Sequence, residues 1–391
     1  MSEPLDGVRV LEFGNLVAAP YCGMLLADLG ADVIKVEPPD GDLARHIGPF
    51  IDGVSCFYRA VNRGKRSVAL DPKHPEARHL IWELAKSSDV VIHNLRPGGM
   101  ERMGLAYVDL ADRNPGLVYA VISAFGTSGP YADRSGIDLV FQGESGMMSI
   151  GGEPGGEPHK TATTIADFVA GTNAALLVAA ALASRGATGR GRLVETSLRD
   201  GLIAVQAGWN AIYFATGRQP PRTGTASPVT APNQTFATAD GHLNVAIVSD
   251  RHFRTACELL DLQALVADER FCSNELRVVH RGELAELFQE VLAIKPTEYW
   301  MQLLGGAGLP VGRILTLPEV FADPQVLHNE MAVTRDERVS QGSPLRSNGV
   351  SLIAHRPPPT LGEHTVAVVG ELGVAGSRLE RLVAEGALLV G

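Results

Sequence analysis

The stretch TATTIADFVAGTNAALLVAAALASRGATGRGRLVETSLRDG, residues Thr161 to Gly201, decides how the rest of the chain is read. Near its start, Asp167 stands between an apolar lead-in, Ile165 and Ala166, and Phe168, just ahead of a glycine and a long Ala/Leu/Val segment. From Thr172 to Ser184 that segment is apolar on almost every helical face, and a helix apolar all round is expected to be buried. The carboxylate is therefore expected near the N-terminal end of a buried helix, where free N–H groups and the macrodipole favour an anion. The residues alone leave two readings open. Asp167 is a helix cap, worth about 1 kcal/mol, or a carboxylate kept ionised in an apolar pocket to act as a nucleophile.

The 391 residues suffice for two domains at roughly 100–200 residues each. Hydrophobic residues make up 45% and charged ones 20%, so a large core is available. A net charge of −10 argues against nucleic acid as a partner. The four cysteines, Cys22, Cys56, Cys257 and Cys272, form no CxxC pair and read as reduced packing residues. MSEPLDGVRVLEF lacks a basic n-region, and the apolar run Ala174 to Ala183 is about half a membrane span. The expectation is a soluble cytoplasmic protein with no membrane partner.

Val8 to Phe13 is an apolar run between glycines, a helical pattern covers Pro20 to Leu29, and Val33 to Val36 is a second run. Strand, helix, strand at this spacing opens a parallel α/β sheet. The turn after the first strand reads GNLVAAP, not GxGxxG, so no nicotinamide or flavin site is supported. Further strands are expected at Val90–Ile92, Leu117–Ser123 and Leu193–Thr196, with helices over Glu76–Lys86 and Asp138–Met148. RAVNRGKR, Arg59 to Arg66, is a solvated basic loop or an anion site. After Thr216 the chain becomes rich in Pro, Gly and Thr, a linker composition. QTFATADGHLNVAIV then reads as two strands about an Asp240–Gly241 turn.

Taken together, the Asp, the Gly-containing helix start, the Ala/Leu-rich helix and TGRGRLVETSLRDG resemble the class III CoA-transferase family. That group includes formyl-CoA transferase, carnitine CoA-transferase and α-methylacyl-CoA racemase. The resemblance continues through IKVE at Ile34 to Glu37, KRSVALD from Lys65, HNLRPGG from His93, ERMG from Glu101 and PEVFADPQ from Pro318, and so spans nearly the whole chain. It implies Asp167 as the acyl-carrying nucleophile, and Lys65, Arg66, Asn94, Arg96 and Arg102 as contacts to CoA. It also implies CoA as a substrate, with no permanently bound cofactor and no metal.

The implied reaction moves CoA from an acyl-CoA to a small carboxylic acid through aspartyl anhydride and aspartyl-CoA thioester intermediates. A racemase or epimerase is the alternative within the family, but Ile137 stands where that branch has a His before Asp138. A non-catalytic acyl-CoA-binding protein of the same fold is the other alternative. Asp138 itself reads as structural, pairing with Arg134 or capping its own helix. The expected architecture is a large doubly wound parallel-sheet domain, residues 1–215 and 330–391, with a smaller α+β domain over 225–325. Residues 216–224 and 326–329 are the expected linkers, and the two connections together with the resemblance imply an interlocked, ring-like homodimer.

Overall fold

The computed structural model describes residues 3–335 and 338–391. The chain divides into two compact units: Met1–Met147, Lys160–Ala211 and Pro324–Gly391 form one, and Met148–His159 with Ile212–Asp323 the other. Three divisions differ from the sequence reading, the first being that the chain returns to the first unit at Pro324 rather than at residue 330. The chain passes to the second unit after Ala211, within the helix Ala207–Thr216, rather than after residue 215. The Gly/Pro-rich segment 148–159, read as part of the large domain, groups with the second unit.

The first unit is built on strands β1 (Arg9–Phe13), β2 (Asp32–Glu37), β3 (Lys65–Leu70), β4 (Val90–His93), β5 (Val118–Ser123) and β6 (Leu193–Ser197). They lie side by side in the order β3-β2-β1-β4-β5-β6, all parallel, and Leu388–Leu389 adds a short antiparallel strand against β3. The order reverses between β1 and β4, so the carboxyl ends of those two strands flank a switch point, where open α/β sheets take ligands. β3 was read as part of a basic loop. Its two leading cations, Lys65 and Arg66, mask a run whose remaining residues, Ser67 to Leu70, are buried.

Side chains alternate across the sheet into two cores, as the two-residue period of a strand requires. Val10, Val33, Val90 and Ile92 face helices α1 (Ala18–Asp28) and, further along the chain, Ile165–Thr188. Leu11, Ile34, Val68 and Val91 face α2 (Pro75–Lys86) and the C-terminal helices. Helix α3 (Asp138–Glu144) precedes α4 (Ile165–Thr188), and α5 (Leu198–Val205) follows β6 directly.

Helix α4 has 24 residues, a length that could cross a membrane, and was expected to be buried all round. It buries one stripe instead: Ala166, Ala170, Ala174, Val178 and Ala181 lie in the core at helical spacing, whereas Leu176 on another face is 68% exposed. Small residues on that stripe let α1 and α4 come close. An added Cβ at Gly171 would lie 2.6 Å from the Ala18 carbonyl oxygen and 3.1 Å from the Tyr21 ring. The backbone of α1 thus occupies the space where a side chain would stand.

The second unit has an antiparallel sheet of β7 (Asn233–Ala237), β8 (His242–Ala246) and β9 (Val311–Arg313), with β8 central. The hairpin turns at Asp240–Gly241, and Asp240 accepts the Thr297 N–H at 2.8 Å. Strand β9 was not read from sequence, being only three residues long. In this unit's core Phe288 stacks on Phe253 and meets Phe236 at a tilt of 32°.

The close crossing of α1 and α4 makes a pair of glycine substitutions informative. Gly171→Val should lower Tm by several degrees, because overpacking costs about 1–3 kcal/mol and here meets backbone. Gly186→Ala, in the same helix with open space around it, should raise Tm by a degree or two, since Ala gains about 1 kcal/mol over Gly in a helix. Thermal unfolding followed by circular dichroism reads both, and a neutral Gly171→Val would contradict the tight crossing.

Candidate active site

Asp167 occupies the first turn of α4, yet it does not cap that helix. The cap comes from elsewhere. Asp138, the first residue of α3 and 8% exposed, accepts the Ala166 N–H at 3.0 Å through one oxygen and the Gln142 amide at 2.6 Å through the other. Gln142 in turn accepts the Thr161 N–H at 2.8 Å. This corrects the reading of Asp138 as an Arg134 partner or a cap of its own helix: Arg134 pairs with Glu144 at 2.6 Å. A side chain 28 residues away in sequence does the capping.

With the end of α4 held by Asp138, the Asp167 carboxyl turns to α1. The N-cap of α1 is Val17, which has no side-chain acceptor to offer, and the Ala18 N–H lies near enough to the Asp167 carboxyl to favour its charge. The Asp167 N–H also supports its own carboxyl. Next to it, the Phe168 ring meets the Tyr21 ring edge-on at 4.8 Å between centroids. The group is half-buried. Burial, and next the nearby charge of Asp138, push its carboxyl up to about 7, outweighing the two N–H donors that pull it down. Near neutrality Asp167 is thus poised between a proton donor and a basic, nucleophilic carboxylate.

The five residues implied as CoA contacts divide sharply. Lys65 is fully buried, with Nζ 2.8 Å from Glu12, 2.8 Å from Asn62 Oδ1 and 2.7 Å from the Pro20 carbonyl. Burial pulls its amine down to about 8 in spite of Glu12. In this position it cannot reach a phosphate, and its role is corrected to a buried counter-ion. Arg66 is likewise committed, bonded to Asp32 and, at 2.6 Å, to Glu371. Asn94 spans the switch point: its Oδ1 accepts the Asn15 N–H and its Nδ2 donates to the Asn15 carbonyl, both at 2.9 Å. Arg96 and Arg102 are exposed and form no ion pair among the described residues. They lie in the loop after β4, next in sequence to Leu95 and Met103.

Leu95 and Met103 line an apolar crevice with Phe13, Gly14, Asn15 and Val36, at the carboxyl ends of β1, β2 and β4. This crevice does not include Asp167, which lies near the other end of the turn that Asn15 begins. Sequence reading missed the anchor beneath it. Lys35 is fully buried and bonds Glu12 at 3.0 Å, Asp42 at 2.8 Å and the Gly14 carbonyl at 2.7 Å. Burial alone would lower its amine, but Glu12, Asp42 and Glu37 outweigh that and hold it above its ordinary value. The signal was a Lys and a Glu set among the apolar residues of two strands, registered as Glu12 opposite Lys35.

Residues 5–365 match the model of CoA-transferase family III. The chain is similar to the succinate–glutarate CoA-transferase of Agrobacterium fabrum, at 39% identity over 94% of this chain and 96% of that one. It is similar to the human succinyl-CoA:glutarate CoA-transferase at 35% identity, covering 95% and 86% of the two chains. The crystal structure of a CAIB/BAIF family protein from Brucella suis superposes with a TM-score of 0.86 at 37% identity, covering 95% of this chain and all of that one. With its mixed α/β fold around a large parallel sheet and this family match over nearly its whole length, the chain is an enzyme that belongs to the class III CoA-transferases.

Proposed function

We propose that the protein exchanges CoA between two dicarboxylic acids, with succinyl-CoA as donor and a five-carbon diacid such as glutarate as acceptor, through covalent intermediates on Asp167. The carrying observation is the Asp167 carboxyl, half-buried, raised to about 7 and facing the uncapped N-terminus of α1. The substrate pair is suggested by the names of two similar relatives, the Agrobacterium fabrum and human enzymes. In the first step an Asp167 oxygen attacks the thioester carbonyl, the C–S bond breaks, and CoA thiolate leaves an acyl-aspartyl anhydride. The thiolate attacks the aspartyl carbonyl, releasing the donor acid and leaving an aspartyl-CoA thioester. The acceptor carboxylate attacks that thioester, forming a second anhydride and freeing the thiolate again. Thiolate attack on the acceptor's carbonyl then yields the new acyl-CoA and regenerates Asp167. Each step exchanges one activated acyl bond for another, so no cofactor or metal is required.

The Ala18 N–H that supports the carboxylate is also a donor for the oxyanions that form at the aspartyl carbonyl. Water must stay out, because each intermediate hydrolyses, and the packing of Phe168 against Tyr21 supports that. Arg96 and Arg102, exposed and without an ion pair among the described residues, are the cations we assign to the CoA phosphates, beside the apolar crevice of Leu95 and Met103. The racemase alternative needs a second acid/base on the opposite face of the α-carbon, and Ile137, 64% exposed, offers none at its position. We further propose a cytoplasmic, interlocked homodimer without membrane or nucleic-acid partners. Exposed apolar residues on the first unit, among them Leu139, Leu176 and Val205, are the surface a partner subunit would cover.

Turnover of succinyl-CoA in the presence of hydroxylamine should convert Asp167 to its hydroxamate, detected by peptide mass spectrometry, while Asp167→Ala abolishes CoA exchange to glutarate. A hydroxamate on another residue, with Asp167 untouched, would sink the mechanism. The pH dependence carries a second signature. kcat/KM for the acyl-CoA should rise with unit slope up to about pH 7 and level above it. Stability should move the other way: a folded pKa above the unfolded one means the native state binds the extra proton, so stability falls between about pH 4 and pH 7. Asp167→Asn should therefore match the parent's Tm at pH 4 and exceed it at pH 8, by at most about 4 kcal/mol in stability. Light scattering from nanomolar to micromolar protein should report a constant dimeric mass, since interlocked chains separate only by unfolding.

A further inference from the structure

The turn from Gly14 to Val17 joins the end of β1 to the first N–H of α1, and it is held from three sides. Lys35 Nζ donates to the Gly14 carbonyl at 2.7 Å. Asn94 brackets Asn15 through both its amide atoms, at 2.9 Å each. Asp42 accepts the Leu16 N–H at 2.9 Å while its other oxygen lies 2.8 Å from Lys35. Leu16 sits at φ 64°, a left-handed conformation that a leucine adopts only when its surroundings impose it. Immediately after comes Val17, which leaves α1 without a side-chain cap, and then Ala18, whose N–H meets Asp167.

We propose that Asn94 and the buried Lys35–Asp42 pair are positioning residues for the reaction: by fixing the strained Gly14–Val17 turn they aim the Ala18 N–H at the Asp167 carboxyl. This rests on Asp167 as the nucleophile. Relaxation of Leu16 out of the left-handed region would rotate the peptides that follow and carry the Ala18 N–H off the carboxylate. The nucleophile and its oxyanion intermediates would then lose one donor. Asp138, from α3, is the charged group that acts on Asp167; α1 contributes its backbone N–H, and no charged side chain of α1, α5 or the sheet adds to it among the described residues. The pH at which Asp167 ionises therefore reports whether that N–H is in place.

Two sets of variants test this. Asn94→Ala removes both bonds to Asn15 without touching a buried charge, and Asn94→Asp keeps the acceptor but not the donor. The double variant Lys35→Met/Asp42→Asn removes one cation and one anion together, leaving the Glu12–Lys65 and Glu37–Arg45 pairs intact. Because the Asn94 variants disturb no buried ion, they report even if the double variant does not fold. With succinyl-CoA, Asn94→Ala should lower kcat about ten-fold and move the rising limb of the pH profile up by about one unit, the size of one lost hydrogen bond to a charged acceptor. KM for the acyl-CoA should stay within about two-fold, Asn94→Asp should recover part of kcat, and the double variant should shift the limb in the same direction. A lower kcat with the limb unmoved overturns the proposal. So does a raised KM at unchanged kcat, which would make Asn94 a CoA contact instead. Hydroxamate formation at Asp167 in the parent enzyme separates this failure from failure of the underlying mechanism.

Discussion

Everything at the candidate site depends on how closely two helices cross. At Gly171 the backbone of α1 fills the space a side chain would take, and this contact sets Asp167, four residues earlier on α4, beside the first peptide of α1. The two helix ends then share their carboxylates out of sequence. Asp138 satisfies the start of α4, and Asp167 satisfies the start of α1. An aspartate one turn into a buried helix would ordinarily be spent on its own helix end. Here a second aspartate takes that duty, and its charge helps keep the first one basic.

Beneath the same sheet edge lie charges of both signs with almost no access to water. Glu12, Lys35, Asp42, Lys65 and Glu37 are at most 1% exposed, and Arg45 joins them through Glu37. Such groups are costly to bury and give little net stability compared with apolar replacements, although breaking one pair costs about 3–5 kcal/mol. What they supply is direction. Each donates or accepts at a fixed place, and two of them grip the turn that leads into α1. The contrast with Arg96 and Arg102 is physical rather than compositional: cations of the same kind face solvent and form no ion pair among the described residues.

The sequence made the parallel sheet legible because β1, β2, β4 and β5 are apolar runs bounded by turn residues, and a run of that kind has few other ways to be satisfied. It made Asp167 legible through the apolar helix behind it. It did not reveal β3, where two leading cations mimic a loop, nor the paired fates of Lys65 and Arg66, because ion pairing across strands depends on register. Asp138 was visible as a carboxylate but not as the cap of a helix 28 residues on. Apolarity on every face of α4 suggested burial on every face, yet a single chain covers only one stripe. Long-range partners decide these cases, and a linear pattern carries no record of them.

The strand Leu388–Leu389 lends the sheet its outer border, pairing with Leu70 and Ala69 of β3. His364 and Thr365 also bond to β3, at Ser67 and Ala69. Ser67 and His364 are 297 residues apart in sequence, so any partly folded state in which the C-terminal segment has not docked leaves β3 with an open, hydrogen-bond-hungry margin. A bare strand edge is a template for pairing with another chain. An intermediate with that segment undocked is accordingly one in which the β3 margin of the parallel sheet is open to such pairing.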